Sequence, residues 1–227
     1  MHRTDEYYTK KLSAEHLKLC YELAPPRIQQ YLDAEINFAL RNITPGDSVL
    51  ELGCGYGRVL LSLVQKADRI TGIDISMDSL HLAHELTKSH KNCNLLRMNA
   101  AQLAFSDQMF DVVVCIQNGI SAFHVNLKDL LKESIRVTKP KGIILFSSYS
   151  EKIWDSRLLW FQLQSKAGFI GEIDYTRTGN GVIVCKDGFT ATTFSKTQFR
   201  SLTKHFHVKT RFVEVDESSL FCKITHQ

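Results

Sequence analysis

The sequence has no continuous apolar run of the roughly 18 residues that a membrane-spanning helix needs, so we expect no membrane segment. Its first ten residues, MHRTDEYYTK, are polar and lack the apolar core of a secretory signal peptide. It also lacks any long run of Lys or Arg, and its 28 basic and 24 acidic residues leave a net charge of +4. So small a charge gives no reason to expect nucleic acid as a partner.

None of the six cysteines forms a Cys-x-x-Cys pair, the spacing that is typical of zinc sites and redox motifs. Cys54, Cys115 and Cys222 lie within apolar or glycine-rich segments. Scattered thiols in a chain long enough to bury a full core indicate reduced cysteines, so we expect a cytoplasmic protein without a metal site. The length of 227 residues, with 44% hydrophobic and 23% charged residues, predicts one globular domain with an addition.

Strands and helices alternate up to residue 150. Apolar, β-branched segments predict five strands, which are SVLELG (Ser48–Gly53), RITGIDIS (Arg69–Ser76), Asn94–Asn99, FDVVVCIQ (Phe110–Gln117) and GIILFSSYS (Gly142–Ser150). Helical patterns follow at about Tyr56–Lys66, after Ser76 as an N-cap, and at Leu127–Lys139 before Pro140. This alternation predicts an α/β fold with helices on both faces of a mostly parallel sheet.

The pattern changes after Ser150. A helix is predicted at Glu151–Ala167 and antiparallel strands at Phe169–Phe194, with an Asp187-Gly188 turn. A helix capped by Ser195 and two strands, His207–Val215 and Ser219–Thr225, then bring the predicted sheet to seven strands. We therefore expect residues 1–150 and 195–227 to form one domain, with 151–194 inserted. The helical segment 1–41 and the insertion are both candidates to cover a site.

The segment Glu51-Leu52-Gly53-Cys54-Gly55-Tyr56-Gly57 is the first candidate for a binding loop. Glycines allow a sharp turn and a close approach of the backbone to a ligand at a helix N-terminus. Asp74 ends the next strand, where an acid can accept both hydroxyls of a ribose. The spacing is neither the G-x-G-x-x-G of nicotinamide-binding folds nor a P-loop, because no Gly-Lys-Ser/Thr follows. A plain strand–helix turn is the alternative.

The chain resembles the class I S-adenosylmethionine-dependent methyltransferases over about Ile43–Ser150. The resemblance rests on motifs in a fixed order, which are VLELGCGYGR, GIDIS, NAAQLAF, FDVVVCIQN and ESIRVTKPKGIILFSSYS. It implies a Rossmann-like fold and S-adenosylmethionine as cofactor, with S-adenosylhomocysteine as product. It also implies a set of cofactor-binding residues, namely Glu51, Gly53, Cys54, Gly55, Gly57, Asp74, Ile75, Asn99, Ala100, Gln117 and Asn118.

Within this set, the resemblance gives the methionine end of the cofactor to Glu51 and the glycines, the ribose to Asp74 and the adenine face to Ile75. Asn99 stands where the family usually has Asp, and Ala104 where it often has Pro. Gln117 and Asn118 match positions that line the reacting methyl group. The segment lacks the Asp/Asn-Pro-Pro-aromatic pattern of nucleic-acid amino methyltransferases, which argues against such acceptors.

The implied reaction is an in-line displacement in which the acceptor attacks the sulfonium methyl group. Alignment of the two reactants is then the main task of the protein, and a general base is not required for every acceptor. The candidates for catalysis are His124, whose ordinary pKa lies near neutrality, and Tyr149, at the end of the fifth strand. A surface role is the alternative for His124.

The candidate acceptor-binding residues are aromatic and charged side chains of the two added segments. They are Tyr8, Tyr21, Arg27, Trp154, Glu172 and Tyr175. Plain helix packing is the alternative for Tyr8, Tyr21, Arg27 and Trp154. A solvated strand face is the alternative for Glu172.

These observations predict a methyltransferase for a small-molecule acceptor that works as a monomer or homodimer. An acceptor on a protein or an RNA remains open, and so does a module that binds the cofactor without turnover.

Overall fold

Seven strands form the central sheet of the computed structural model, which describes Tyr7 and residues 11–226. They are β1 (Ser48–Leu52), β2 (Arg69–Asp74), β3 (Cys93–Arg97), β4 (Phe110–Cys115), β5 (Thr138–Tyr149), β8 (Val208–Val215) and β9 (Ser219–His226), in the spatial order β3-β2-β1-β4-β5-β9-β8. The first five pair in parallel, and β9 is antiparallel to both of its neighbours. The predicted mostly parallel, seven-stranded fold is confirmed.

The order of strands reverses at β1. The chain first moves outward from β1 to β2 and β3, then returns to the other side of β1 as β4. Val49 accordingly has Ile70 as its register partner on one side and Val112 on the other. The loops that follow β1 and β4 therefore diverge at the carboxyl edge of the sheet and leave a crevice between them, where ligands of such folds bind.

Eight helices pack around the sheet or lie above its edge in the described part of the chain. They are α1 (Ala14–Glu22), α2 (Pro26–Arg41), α3 (Leu60–Leu63), α4 (Met77–Thr87), α5 (Gly119–Ala122), α6 (Leu127–Val137), α7 (Trp154–Lys166) and α8 (Lys196–Thr203). The predicted N-caps are present, since the Ser76 hydroxyl accepts from the Ser79 N–H and Ser195 forms a capping box with Gln198. None of the described helices is long and apolar enough to cross a membrane.

Three predicted elements are shorter or shifted. The helix expected at about Tyr56–Lys66 is regular only over α3. After it, the Lys66 N–H donates to the C=O of Leu63, three residues earlier, so the last turn has the tighter 3-10 pattern. Helix α6 ends at Val137, and β5 begins directly at Thr138 with a register shift against β4 before Ile143. Local propensity does not show either boundary, since both depend on pairing with neighbouring elements.

Only two short strands occupy the region where antiparallel strands were expected over Phe169–Phe194. They are β6 (Val182–Val184) and β7 (Thr190–Thr192), which form a hairpin across the predicted Asp187-Gly188 turn. Before this hairpin the Asp174 side chain accepts from the backbone and hydroxyl of Thr176, which closes a turn instead of extending a strand.

The N-terminal helices and the insertion share one hydrophobic core above the carboxyl edge of the sheet. We call Tyr7 and residues 11–24, together with residues 151–194, the roof. Its two parts are joined by hydrogen bonds from Trp160 Nε1 to Cys20 C=O (2.8 Å) and from the Tyr7 hydroxyl to Asp187 (2.7 Å). Arg157, almost fully buried, donates to the carbonyls of Gly181 and Ala191 and so fixes the hairpin to α7.

Gly72 in β2 allows the loop and helix after β1 to pack against the sheet. A Cβ at this position would lie 2.6 Å from Leu60 Cδ1 and 2.9 Å from Cys54 Sγ. We therefore expect Gly72→Ala to lower the free energy of unfolding by about 1–3 kcal/mol through overpacking, measured by urea denaturation. Thr71→Ala, on the opposite face of the same strand, is the control; equal stability of both variants would contradict this packing.

Candidate cofactor and acceptor site

A cavity of about 330 Å³ lies in the crevice at the carboxyl ends of β1, β2 and β4 and continues under the roof. Its floor is formed by the loops after these strands, and its upper wall by apolar and aromatic side chains of α1, α7 and the hairpin. Of the predicted site residues, those that line it are Tyr21, Glu51, Gly53, Cys54, Gly55, Asp74, Ile75, Asn99, Ala100, Gln117, Asn118 and Tyr149.

The glycine loop turns immediately after β1. Gly53 has φ +69°, and a Cβ on it would lie 2.4 Å from the Phe123 ring, so only glycine fits between the strand end and this ring. The structure places Gly57 elsewhere: it packs against Ala83 of α4 and lies outside the described cavity lining. Because Gly57 has no side chain, α4 can pack closely against it. The spacing of the glycines in the sequence does not show whether a given glycine contacts a helix or a ligand.

The Asp74 carboxylate ties two loops of the floor together. Its oxygens accept from Gly55 N–H at 2.9 Å and from Ser76 N–H at 2.8 Å. Burial raises the pKa of Asp74, and these backbone N–H groups oppose that rise. Ile75 beside it is 43% exposed, which leaves an apolar surface for a planar ring, and Asn99 Oδ1 accepts from Ala101 N–H while keeping a second lone pair.

Glu51 and Arg58 place a carboxyl group and a guanidinium at one end of the cavity. Glu51 is 4% exposed, and its burial raises the pKa of the carboxyl to about 8 although Arg58 acts in the opposite direction. Among the described residues, Glu51 Oε2 and Arg58 Nε and Nη2 are buried and find no hydrogen-bond partner. A buried acceptor and a buried cation facing one cavity fit the ammonium and carboxylate groups of an amino acid, so this end suits the methionine moiety.

The sequence interpretation missed Arg58. Its place directly after the last glycine of the loop was the available signal. The guanidinium lies 4.9 Å from the centroid of the Tyr21 ring, so a roof residue stacks on the cation of the floor.

The loop after β4 carries Gln117 and Asn118, both in the left-handed backbone region with φ of 58° and 62°. The Asn118 amide is engaged at both ends, since its Nδ2 donates to Thr192 C=O (2.9 Å) and its Oδ1 accepts from the Ser148 hydroxyl (2.6 Å). Gln117 Nε2 is buried and has no hydrogen-bond partner within the described residues. Of the two amides, Gln117 is therefore the one available to a ligand.

The two catalytic candidates are in different places. Tyr149 is buried at the cavity wall, with its ring 5.0 Å from that of Tyr31 and 4.3 Å from the Arg157 guanidinium. His124 is exposed and outside the described lining, while its neighbours Phe123 and Val125 reach the cavity instead. The path of the short loop sets which of these three side chains faces the cavity, and that path cannot be predicted from the sequence.

Several predicted acceptor-binding residues lie away from the cavity. Arg27 pairs with Asp216 at 2.6 Å, and Trp154 packs near Arg157 within the roof. Glu172 faces outward in a salt bridge to Lys186, and Tyr175 is 63% exposed. The positions of Arg27 and Trp154 support a role in packing, and those of Glu172 and Tyr175 support a solvent-exposed face. Tyr8 lies outside the described residues.

Trp160, Phe161 and Phe189, which are not among the predicted site residues, form the wall opposite the floor together with the predicted Tyr21. The Trp160 ring lies 5.7 Å from Tyr21 and 5.8 Å from Phe161, which in turn is 6.0 Å from Phe189. We call these four residues and Tyr149 the aromatic chamber. A helix turns by about 100° per residue, so Trp160 and Trp154 face different directions, and the sequence interpretation chose Trp154.

Glu51 should couple ligand binding to a proton. With its pKa raised to about 8, the carboxyl is mostly protonated at pH 7 in the free protein. An ammonium group beside it favours the ionised form and lowers that pKa, so binding of S-adenosylhomocysteine should release protons at pH 7, and affinity should rise as the pH approaches 8. Calorimetry in two buffers of different ionisation enthalpy measures the release.

Glu51→Gln is the matched variant for this measurement, since it keeps the shape of the side chain and removes the titration. It should bind the nucleotide without the proton release. Proton uptake by the unchanged protein, or a release that persists in the variant, would contradict the assignment of Glu51 to the ammonium group.

Comparison with known proteins agrees with this geometry. Residues 49–142 match the family model described as a methyltransferase domain. The chain is 30% identical over 157 residues to the 2-methyl-6-phytyl-1,4-hydroquinone methyltransferase of Synechocystis, covering 65% of this chain and 47% of that protein. It is 31% identical over 129 residues to the demethylmenaquinone methyltransferase of Bacillus licheniformis, covering 54% and 53%. The chain thus spans about half the length of these curated relatives.

Solved structures share the whole fold at low sequence identity. The N-methyltransferase NodS of Bradyrhizobium japonicum, in complex with S-adenosylhomocysteine, superposes with a TM-score of 0.67 at 15% identity over 99% of both chains. The PH0226 protein of Pyrococcus horikoshii gives 0.66 at 22% identity over 98% of this chain and 99% of that one. The matched segment, the strand order and the ordered motifs agree: residues 49–142 match a methyltransferase domain, and the chain is similar to S-adenosylmethionine-dependent methyltransferases in sequence over this segment and in fold throughout.

Proposed function

We propose that the protein transfers the methyl group of S-adenosylmethionine to a small, flat, uncharged aromatic compound of the hydroquinone or phenol class. The observation that carries the proposal is the aromatic chamber beside the Glu51–Arg58 end of the cavity. Charged side chains of the described lining are confined to Glu51, Arg58 and Asp74, all on the floor. Apart from Gln164, the lining contributed by the roof is aromatic and apolar, which suits a planar ring and disfavours an ionic acceptor.

The named relatives support a ring-shaped acceptor. Two of them are named as methyltransferases of a phytyl hydroquinone and of demethylmenaquinone. A third is named as a ubiquinone biosynthesis O-methyltransferase, from Pseudomonas fluorescens. These proteins are longer than the matched segments, so the transfer of their acceptor class to this chain is part of the proposal.

The cofactor, when bound, supplies a methyl group already activated on a positively charged sulfur. The residues of the chain then have two tasks. Gln117 and the aromatic chamber orient the acceptor ring, and the roof keeps water out, an alignment that can be worth about 7–11 kcal/mol in well-oriented systems. No histidine occurs in the described lining, so the site supports alignment and not general-base catalysis by the predicted His124.

The roof also bears on the alternatives. The N-terminal helices and the insertion enclose the acceptor side through the Trp160–Cys20 and Tyr7–Asp187 hydrogen bonds, which favours a small molecule over a protein or RNA strand. We therefore assign the roof to acceptor covering and the remaining described parts of residues 1–150 and 195–227 to the cofactor domain. Cofactor binding by thermal shift and methyl transfer by mass spectrometry together distinguish an enzyme from a module that binds the cofactor without turnover.

Cofactor binding is tested by thermal shift with S-adenosylmethionine and S-adenosylhomocysteine, with NAD as a negative control. A ligand at 100 times its Kd adds about 2.7 kcal/mol of stability, which is on the order of 5–10 °C for a chain of this size. Asp74→Ala should remove the shift, because Gly55 N–H and Ser76 N–H lose their shared acceptor. Asp78→Ala, an exposed acid in the next helical turn, should keep it.

Acceptor class is tested by mass spectrometry with 1,4-dihydroxynaphthalene, a primary alkylamine and an alkyl carboxylic acid. We expect methylation of the dihydroxynaphthalene alone. Trp160→Ala should raise its KM about tenfold, since a ring of the chamber is lost, while Trp154→Ala, on another face of the same helix, should change KM less than twofold. Methylation of the amine, or equal effects of the two tryptophan variants, would overturn the aromatic acceptor.

A further inference from the structure

A fully buried carboxylate lies behind the loop that carries Gln117. Glu35 belongs to α2, has no exposed surface and is not part of the described cavity lining. Its Oε2 accepts from the backbone N–H of Gln117 and from the Ser147 hydroxyl (2.8 Å), and its Oε1 accepts from the Ser219 hydroxyl. One side chain of the N-terminal extension thus joins β5, β9 and the loop after β4.

That loop has a conformation that local sequence does not favour. Gln117 and Asn118 are consecutive non-glycine residues with positive φ. Such a backbone persists only where surrounding contacts determine it. The Gln117 N–H is held by Glu35 and by Ser147 Oγ at 2.9 Å, and the Asn118 side chain is held by Ser148 and Thr192.

The conformation decides where the Gln117 side chain points. Gln117 lines the cavity, and its amide nitrogen is buried and has no hydrogen-bond partner in the described part of the chain. A change at the backbone N–H, on the protein side of the loop, would turn this amide away from the cavity. The Glu35 carboxylate is therefore connected to the cavity through one hydrogen bond and one residue.

We infer that Glu35 is a positioning residue, which holds the loop after β4 so that the Gln117 amide faces the acceptor. The inference rests on the proposed function for its effect on turnover. It does not depend on it for the hydrogen bonds described above. The alternative is that Glu35 merely anchors α2 to the sheet.

The network requires the ionised form of Glu35, because all of its described partners donate hydrogen bonds to it. Burial raises the pKa of this carboxyl to about 7, while the Ser219, Ser147 and Gln117 donors act against the rise. The titratable groups that interact with it are Tyr31 on its own helix, Tyr21 on α1 and Cys115 on β4. From β5 and β9 the facing groups are the serine hydroxyls.

Protonation would put a donor where Gln117 N–H and the two hydroxyls need an acceptor. The loop should therefore be correctly held above about pH 7 and loosened below it. In terms of turnover, kcat for an acceptor that does not itself titrate in this range should rise with pH and level off above neutrality.

The decisive variant is Glu35→Gln in the full chain. It keeps the size of the side chain and replaces one acceptor oxygen by a donor. We expect kcat with S-adenosylmethionine and 1,4-dihydroxynaphthalene to fall on the order of 30–100-fold, as small misplacements of reacting groups do. The Kd of S-adenosylhomocysteine should stay within threefold, because Glu51, Arg58 and Asp74 are untouched, and the rise of kcat around pH 7 should disappear.

Glu214→Gln is the matched control, since Glu214 also accepts from a serine hydroxyl, that of Ser150, and lies outside the cavity lining. It should leave kcat and its pH profile unchanged. Ser147→Ala is the second variant in case Glu35→Gln does not fold. It removes one donor to Glu35 and one acceptor of the Gln117 N–H, and should lower kcat about fivefold at constant Kd.

Amide hydrogen exchange gives a readout that needs no acceptor. The segment 116–119 should exchange at least tenfold faster in Glu35→Gln, while residues 26–41 keep their protection. If the unchanged protein binds the nucleotide but methylates none of the acceptors, the proposed function fails and this exchange alone decides the inference. Equal exchange of 116–119, an unchanged kcat, or a loss confined to residues 26–41 would show that Glu35 is only an anchor.

Discussion

The reversal of strand order at β1 is the constraint on which the rest of the structure depends. All five residues of β1 are buried, and the strand pairs in parallel with β2 on one side and β4 on the other. Because the chain leaves these strands in opposite directions, their loops separate and open the crevice. The glycine loop, Asp74 and Gln117 reach the same edge because β1, β2 and β4 run parallel, although 66 positions separate Glu51 from Gln117 in the chain.

The roof converts this open crevice into a cavity. The N-terminal helices and the insertion lie far apart in sequence, but they bury a common apolar core with Tyr31, Tyr149 and Trp160 among its members. Neither part could bury these side chains alone, so each stabilises the other above the sheet. Apart from Gln164, the roof side of the cavity is consequently apolar, and the charged residues lie on the floor.

Buried charges are expensive, and their distribution reflects function. Arg157 is buried but donates to the carbonyls of Gly181 and Ala191. These hydrogen bonds offset the cost of burying its charge, so its role is structural. Glu35 is compensated by three described donors. Glu51 and Arg58 instead keep polar atoms without hydrogen-bond partners in the described residues, and they lie where a zwitterionic group of a ligand would satisfy both.

The fold class, the helix caps and most residues on the floor of the cavity could be predicted from the sequence. Strand runs, N-cap serines and the glycine loop are local features, and Glu51, Gly55, Asp74 and Asn99 follow them at fixed positions at the ends of strands. Three-dimensional packing was needed for the rest: on the roof Trp160 and not Trp154 lines the cavity, Arg58 and not Arg27 reaches it, and His124 in the loop after β4 is exposed. Glu35 also became visible only in three dimensions. The physical reason is that the direction of a side chain on a helix or loop depends on what packs against it, and that packing joins segments more than 100 residues apart.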